Sequence, residues 1–399
     1  NPYRNFDPNK ADKVTLTAAN KSVAKEAALK SIVLLKNEND ILPLKKDIKI
    51  ALVGPFADNK QEMFSHWSFR GDTEHVVTML EGIKKQNSNV SYAEGTQVTN
   101  DSIFLKKSRR IFDMEEQQKM VSEAVNISKD ADVIVAVLGE QMTMSGEAKS
   151  RSDISIPNCQ YEFLKALKET GKPVILVLLH GRPLTIEREL PLVDAVLATW
   201  RPGTMAGDAV ADILFGNYNP SGKLTMTFPR SVGQIPIYYN HKNTGRPSDP
   251  DKVQGLMIYV SNYIDQNEIP LYPFGYGLSY TQFKYGDIKL SDTQVTGKDK
   301  SLTAKINITN TGKHAGEETV QLYIGDPVAS VARPVKELKQ FRKVFIKPGE
   351  TKEIIFTITP EDLKFFNSDL VWGWESGRFL VYIGTDSQNV QKIEFVWNK

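Results

Sequence analysis

The sequence predicts two structural classes in succession: an α/β sandwich with a mostly parallel sheet and flanking helices, and then an all-β sandwich. Between about residues 20 and 230, short continuous apolar runs alternate with segments of helical periodicity, which is typical of a sheet covered by helices on both faces. From about Tyr285 onward, apolar residues recur at every second position, as in strands with one buried face. With 40% hydrophobic residues among 399, the chain has enough apolar material for both cores.

The elements of the first domain follow from these patterns in order. Residues 1–19 show no periodicity, and we interpret them as a linker. Apolar positions at helical spacing predict a helix over 22–35, which the asparagines after it and Pro43 bring to an end. The run IKIALVG at 48–54 predicts a central parallel strand. Similar patterns predict further strands at 90–92, 133–138, 174–179 and 195–199, and helices at 73–84, 115–128, 160–170 and 205–215.

The second half of the chain begins with a connection and continues with strands. Residues 231–284 are rich in Tyr, Pro, Asn and Gly without a sustained period, so we predict a long wrapping connection. Residues 285–399 contain six alternating segments, which favour a sandwich of the immunoglobulin or fibronectin III type. Because Cys159 is the only cysteine, a disulfide between the two sheets is excluded, which favours the fibronectin type. The six segments are LTAKINITN, ETVQLYIGD, KQFRKVFIK, TKEIIFTIT, GRFLVYIGT and KIEFVWN.

Composition and missing motifs argue against several function classes. The 50 basic and 48 acidic residues give a net charge of +2, so we expect no nucleic-acid partner. A single cysteine and five histidines without an HExxH pattern predict no metal site. The chain lacks a Walker A motif, a G-x-G-x-x-G fingerprint and a G-x-S-x-G elbow, which counts against nucleotide or acyl chemistry and predicts no cofactor. No stretch approaches the ~18 apolar residues of a membrane span.

The candidate catalytic residue is Glu147, in the polar loop that follows the strand at 133–138. Open α/β sheets bind ligands beyond the carboxyl ends of their strands, and Gly146 before it permits a close approach of the backbone. Glycoside hydrolysis requires a carboxylic acid that protonates the leaving oxygen, paired with a second carboxylate. The local pattern alone nevertheless favours a solvated loop glutamate without a catalytic role.

Trp67 is the candidate substrate-binding residue. It lies in a loop after the first parallel strand, flanked by His66, Ser68, Arg70 and Asp72. An aromatic ring among hydrogen-bonding groups suits a sugar, since a pyranose has an apolar face and a polar rim. A tryptophan packed in the protein core explains the local sequence equally well.

Three other polar residues near strand ends receive structural interpretations. Glu140 follows its strand so closely that we expect it to bind backbone amides of neighbouring loops. Asp153 is expected to stabilise its own loop. Arg182, in a turn after the strand at 174–179, is expected to form an ion pair.

Ordered segments on both sides of the Glu147 loop carry a resemblance to a known family. AKEAALKSIVLLKNENDILPL, ILFGNYNPSGKLTMTFP, PLYPFGYGLSYTQF and NTGKHAGEETVQLYI occur in this order. The chain resembles the C-terminal two-thirds of glycoside hydrolase family 3 enzymes over nearly its whole length, and is most similar to the bacterial periplasmic β-glucosidase type.

The resemblance implies an architecture and a role for each domain. An N-terminal (β/α)8 barrel, absent from this chain, would carry the aspartate nucleophile, and residues 1–19 would be the linker from it. The α/β sandwich at 20–230 would supply Glu147 as the general acid/base and Trp67 at the mouth of the site. The connection at 231–284 would lead to a fibronectin type III-like domain at 285–399.

The resemblance also implies a reaction and a setting. We expect a retaining β-glycosidase, in first place a β-glucosidase that removes terminal non-reducing β-D-glucosyl residues from oligosaccharides or aryl glycosides. This chain alone is expected to be inactive. Alternatives are a β-xylosidase of the same family and a non-catalytic carbohydrate-binding or interaction module. The implied location is periplasmic or secreted, and whether two copies form a homodimer is left open.

Overall fold

The computed structural model describes residues 10, 13–68, 71–101, 104, 112–247 and 259–399. These residues form two compact units that meet in the sequence at Gly222 and Lys223. Each unit has its own sheets and is described by itself below. Within the described residues, no helix combines the length and the apolar character needed to cross a membrane.

The first unit contains one six-stranded sheet with flanking helices. The strands have the order β1-β6-β5-β4-β2-β3, and all neighbours are parallel except the antiparallel pair of β1 and β6. The elements are α1 (Ala18–Ser31), β1 (Val33–Asn37), β2 (Ile50–Val53), α2 (Met79–Lys84), β3 (Val90–Ala93), α3 (Met114–Lys129), β4 (Val133–Gly139), α4 (Asn158–Lys168), β5 (Val174–Leu179), β6 (Ala195–Trp200) and α5 (Ala206–Leu214).

The central strands form where the sequence predicts them. Strands β2, β4 and β5 are buried along their whole length, as expected of a parallel sheet between two helical layers. The predicted strands β2 to β6 and helices α3 to α5 are therefore confirmed, with boundaries within a few residues. From β2 the chain adds β3 on one side and then returns to add β4 on the other side. The topological switch point of the sheet thus lies between β2 and β4.

Two predicted helices differ from the structure. The helix predicted over 22–35 runs instead over Ala18–Ser31, and residues 33–37 form β1 against β6. Ile32 adopts an extended backbone, and the apolar run after it is completely buried in the sheet, so tertiary packing overrides the helical spacing. The helix predicted over 73–84 is a 3-10 turn followed by α2, because Thr78 and Glu81 form a capping box that begins a new helix.

Helical residues occur at 10 and 13–14, and α1 begins within the expected linker 1–19. The prediction for residues 1–9 and 11–12 lies outside the described residues.

The second unit has two main β-sheets around one core, and β14 and β15 form a separate two-stranded sheet. One sheet has the order β13-β10-β7 with β8 also paired to β10, and the other has the order β12-β11-β16-β17-β9. The elements are β7 (Phe283–Tyr285), β8 (Lys289–Leu290), β9 (Gln294–Thr296), β10 (Leu302–Asn310), β11 (Gly316–Gly325), β12 (Glu337–Ile346), β13 (Thr351–Ile358), α6 (Pro360–Leu363), β14 (Phe365–Phe366), β15 (Trp372–Gly373), β16 (Gly377–Gly384) and β17 (Val390–Asn398).

The alternating segments behave as predicted. Leu302, Ala304, Ile306 and Ile308 on β10 point into the core, together with the aromatic side chains of the opposite sheet. All six predicted strands are present. Within the same unit, Tyr239 from the predicted connection stacks on Phe274 with ring centroids 4.3 Å apart.

Candidate active site

The loops after β2 and β4 lie together at the switch point of the sheet. The backbone amide of Met142 donates a 2.6 Å hydrogen bond to Oε2 of Glu62, which lies in the loop after β2. Farther along, Gly146 lies against His66 so closely that a Cβ added to Gly146 would be 2.7 Å from the His66 Cβ. Since β2 and β4 are the strands at which the chain reverses its direction of growth, these loops border the crevice where α/β sheets bind ligands.

Glu147 lies at the exposed end of the β4 loop. A 3-10 turn over Met142–Met144 precedes it, and its neighbours Gly146 and Ala148 both have positive φ, +127° and +54°. Its carboxylate is exposed, and among the described residues it has neither a hydrogen-bond nor an ion-pair partner. The backbone of the loop, rather than side-chain contacts, therefore determines where this carboxylate is held.

Trp67 occupies the corresponding exposed part of the β2 loop. Its side chain is 67% exposed, so the packed alternative does not apply, and its ring contacts that of His66 edge-on at 6.1 Å. Ser68 donates to the Ser65 carbonyl and Asp72 caps a 3-10 turn, so these flanking polar groups stabilise the loop. Arg70 lies outside the described residues. The structure thus brings the Trp67 and Glu147 loops together, and the roles of both residues stay predictions.

Beneath the exposed ends, a buried charge network joins the two loops to β6. Arg201, directly after β6, donates through Nη1 to the Glu62 carbonyl at 2.6 Å and to Glu62 Oε2 at 3.1 Å. Its Nη2 donates to the carbonyl of Glu140 at 2.6 Å. Burial raises the pKa of the Glu62 carboxyl, and the Arg201 guanidinium and the Met142 amide oppose that rise. Loss of either partner would leave an uncompensated buried charge, which is strongly destabilising.

Glu140 has the structural role that its position predicts. Its side chain is completely buried, and Gly181 donates its backbone N–H to one carboxylate oxygen at 3.1 Å. The other oxygen accepts from Arg151 at 2.9 Å and lies 3.1 Å from Nε of Arg182. The prediction of an ion pair for Arg182 is therefore confirmed. Asp153 likewise accepts from the Ser155 amide, which stabilises its own loop.

His180, between β5 and Arg182, is a neutral structural group. Burial lowers its pKa to about 3, and its Nδ1 lies 2.9 Å from the Arg182 carbonyl, to which it donates. The ring also packs on Trp200 at 4.4 Å. A histidine that stays neutral far below its ordinary range is unsuited to acid/base chemistry near neutrality.

Two residues of this network, Glu62 and Arg201, are not among the residues predicted from the sequence. A signal was present for Arg201, since an arginine directly after a buried strand must find a partner at the strand end, as Glu140 does. For Glu62 there was no local signal, because its partners are 80 and 139 positions away. Within the described residues, no three His, Cys, Asp or Glu side chains are grouped so that they could hold a metal ion.

The fold agrees with comparisons to known proteins. Residues 32–280 match the glycosyl hydrolase family 3 C-terminal domain, and residues 318–387 match a fibronectin type III-like domain. The first match covers more than half of the chain, so the chain belongs to glycoside hydrolase family 3. The resemblance and the fold class predicted from the sequence are both confirmed.

Individual relatives make the comparison more specific. The chain is 46% identical to the periplasmic beta-glucosidase of Salmonella typhimurium, over 99% of the chain and 52% of the relative. It is 37% identical to a beta-xylosidase of Formosa agariphila, over 96% of the chain and 51% of the relative. The crystal structure of beta-glucosidase from Listeria innocua superposes with a TM-score of 0.90 at 37% identity, over 100% of this chain and 52% of that chain. The chain thus spans about half the length of the relatives it matches.

Proposed function

We propose that this chain is the C-terminal part of a retaining β-glycosidase, in first place a β-glucosidase acting on terminal non-reducing β-D-glucosyl residues. In this proposal Glu147 is the general acid/base and Trp67 is a platform for a sugar ring. The aspartate nucleophile belongs to an N-terminal barrel of the kind that the family resemblance implies. The beta-glucosidases among the relatives support this substrate class.

The observation that carries the proposal is the contrast among the carboxylates at the switch point. Glu62 and Glu140 are buried and paired with arginines, and Glu147 is exposed and has no side-chain partner within the described residues. A carboxylate that must exchange a proton with a substrate has to be accessible and free of a permanent partner. As far as the described residues show, Glu147 meets both requirements at the edge of the sheet where ligands bind.

The mechanism follows from the chemistry of a retaining glycosidase. The nucleophile of the barrel attacks the anomeric carbon while Glu147 protonates the departing glycosidic oxygen, which leaves a covalent glycosyl-enzyme. Glu147, now a carboxylate, then removes a proton from the water that hydrolyses this intermediate. Retention requires about 5–5.5 Å between the two carboxyl groups, so the Glu147 loop has to face the barrel in the complete enzyme.

Azide rescue tests the acid/base assignment. In a polypeptide that joins the N-terminal half to this chain, Glu147→Ala should hydrolyse aryl β-glucosides with poor leaving groups far more slowly. With an activated leaving group, azide should partly restore turnover and yield β-glucosyl azide, since azide needs no general base. The control is Glu74→Ala, which removes an exposed glutamate from the β2 loop. Normal turnover of Glu147→Ala on a poor leaving group would refute the assignment.

Two alternatives remain, each with its own test. Relatives named beta-xylosidase support a xyloside as substrate, and comparing kcat/KM for aryl β-xylosides and β-glucosides distinguishes the two sugars. A carbohydrate-binding module is supported by the exposed Trp67. Titration of the isolated chain with cello-oligosaccharides tests it: binding weaker than about millimolar and no turnover by the chain alone favour half of an enzyme.

The proposal extends to the cellular location and the partners of the protein. The name of the Salmonella relative supports a periplasmic or secreted location for this chain. The partners we propose are the N-terminal barrel and a β-glucoside, and a homodimer remains open.

A further inference from the structure

Arg182 joins the two ends of the segment that carries Glu147. Its Nη2 donates to the backbone carbonyl of Met144 at 2.5 Å and to that of Lys149 at 2.6 Å. One guanidinium NH2 group has two N–H bonds, so it can serve both carbonyls at once. The four residues between these carbonyls, 145–148, are thereby closed into a short loop with Glu147 at its exposed end.

Arg182 is itself fixed from the opposite side. Its Nε lies 3.1 Å from the buried carboxylate of Glu140 at the end of β4, and its own carbonyl accepts from His180 at the end of β5. The loop carrying Glu147 is therefore connected through one residue to the ends of two central strands, through its side chain to β4 and through its backbone carbonyl to β5. Groups supported by strands are held more precisely than groups supported by loops alone.

The backbone around Glu147 requires such support. Gly146 and Ala148 both hold positive φ, and positive φ in alanine is a conformation that persists only when surrounding contacts enforce it. Because Glu147 has no side-chain partner among the described residues, the position of its carboxylate depends on this backbone. The contacts of Arg182 with Met144 and Lys149 are the ones that bracket it.

We propose that Arg182 is a positioning residue for the reaction: it holds the 145–148 loop so that Glu147 is aligned for proton transfer. This inference rests on the proposed function of Glu147 and adds a residue that acts only through it. Arg182 is not required to touch the substrate. Its removal should weaken acid/base catalysis more than substrate binding, since a displacement of about 1 Å can cost on the order of 100-fold in rate.

The principal test variant is Arg182→Lys, measured in the polypeptide that includes the N-terminal half. Lysine keeps a positive charge near Glu140, so folding is better preserved than in Arg182→Met. Its single nitrogen cannot face Glu140 and bind the two carbonyls at the same time, as Nε and Nη2 of Arg182 do. For an aryl β-glucoside with a poor leaving group, kcat should fall roughly 10- to 100-fold, with KM changed by less than about 3-fold. With 2,4-dinitrophenyl β-glucoside, which needs no protonation to leave, the fall in the glycosylation rate should be several-fold smaller.

Arg188→Lys is the matched control. Arg188 also lies after β5, pairs with a buried carboxylate, Glu189, at 2.8 Å, and donates to a loop carbonyl, that of Ile156, at 2.8 Å. It does not bracket Glu147. This variant should lower stability without changing the dependence of the rate on the leaving group. An equal loss for both leaving groups in Arg182→Lys, or no loss, would overturn the positioning role.

A parallel Glu147→Gln series separates the two proposals. If Glu147→Gln shows the selective loss and Arg182→Lys does not, the positioning role fails and the acid/base role stands. If Glu147→Gln keeps full turnover on the poor leaving group, the proposed function fails and the inference fails with it. In the isolated chain, amide hydrogen exchange of residues 145–149 should accelerate in Arg182→Lys and not in Arg188→Lys. Unchanged exchange there would also overturn the inference.

Discussion

Each of the two loops at the switch point has a buried anchor and an exposed end. In the β2 loop the anchor is Glu62 and the exposed residue is Trp67, and in the β4 loop they are Glu140 and Glu147. The anchors are paired with arginines, and one of these, Arg201, contacts both loops. In each loop, therefore, one residue holds the loop in place and a different residue is available for chemistry. Substitutions of the buried anchors should therefore mainly lower stability, and substitutions of the exposed residues should mainly lower activity.

Loss of an anchor should produce the largest change in stability. Glu140→Ala leaves Arg151 and Arg182 without their buried counter-charge and the Gly181 amide without its acceptor. We expect the free energy of unfolding to fall by about 3–5 kcal/mol, measured by urea denaturation of this chain. The control is Glu26→Ala, which breaks an exposed helical ion pair and should leave stability almost unchanged. A similar result for both variants would show that the buried network is not an anchor.

A side chain at Gly146 should disturb the β4 loop between its buried anchor, Glu140, and its exposed residue, Glu147. Gly146→Ala places a Cβ at φ +127° and within 2.7 Å of His66, which should cost about 1–3 kcal/mol and displace Glu147. Gly171→Ala is the control, because Gly171 also has positive φ but nothing within 4 Å of its added Cβ. Both variants should lose stability, and only Gly146→Ala should also lose turnover. Full turnover in Gly146→Ala would show that the loop tolerates movement.

Because His180 is buried in its neutral form, the free energy of unfolding should decrease in acid. Its pKa is about 3 in the fold and about 6.5 when unfolded, so its contribution to stability is complete above pH 6.5 and is lost as the pH falls toward 3. Between pH 7 and pH 5 this loss amounts to about 2 kcal/mol. The difference between wild type and His180→Gln, measured by urea denaturation at both pH values, isolates it. If the free energy of unfolding of His180→Gln depends on pH just as that of wild type does, the neutral state assigned to His180 is wrong.

Loss of Trp67 should change binding without changing stability. Trp67→Ala removes a ring that is 67% exposed, so the free energy of unfolding should stay within about 0.5 kcal/mol of wild type. If the ring carries a sugar, KM for an aryl β-glucoside should rise roughly 3- to 10-fold in the polypeptide with the N-terminal half. Trp372→Ala, at an exposed site of the second unit, should change neither quantity. An unchanged KM in Trp67→Ala would remove it from the proposed site.

Much of this fold is readable in the sequence because its patterns are local. The uninterrupted apolar runs of β4 and β5 and the strict alternation of β10 each predict one kind of strand. Strand β1 is different, since its apolar run continues the helical spacing of α1 and only pairing with β6 makes it a strand. Residues 33–37 form a strand because they pair with β6, and no local sequence pattern predicts that pairing.

The candidate site was readable only in part. Glu140 and Arg182 could be placed because a charged residue at a buried strand end must be paired. Glu147 stood out only through the family resemblance, since an exposed loop glutamate has no local signature. The pairing of Glu62 with Arg201 joins residues 139 positions apart, which the sequence alone cannot align.

The central claim is that Glu147 serves activity and the buried anchors serve stability. It is tested most directly by Glu147→Gln, with stability and turnover both measured for this one variant. The account predicts a free energy of unfolding within about 0.5 kcal/mol of wild type. It also predicts turnover on a β-glucoside with a poor leaving group reduced roughly 100- to 10,000-fold in the polypeptide with the N-terminal half. A loss of several kcal/mol in stability, or turnover close to wild type, would contradict it.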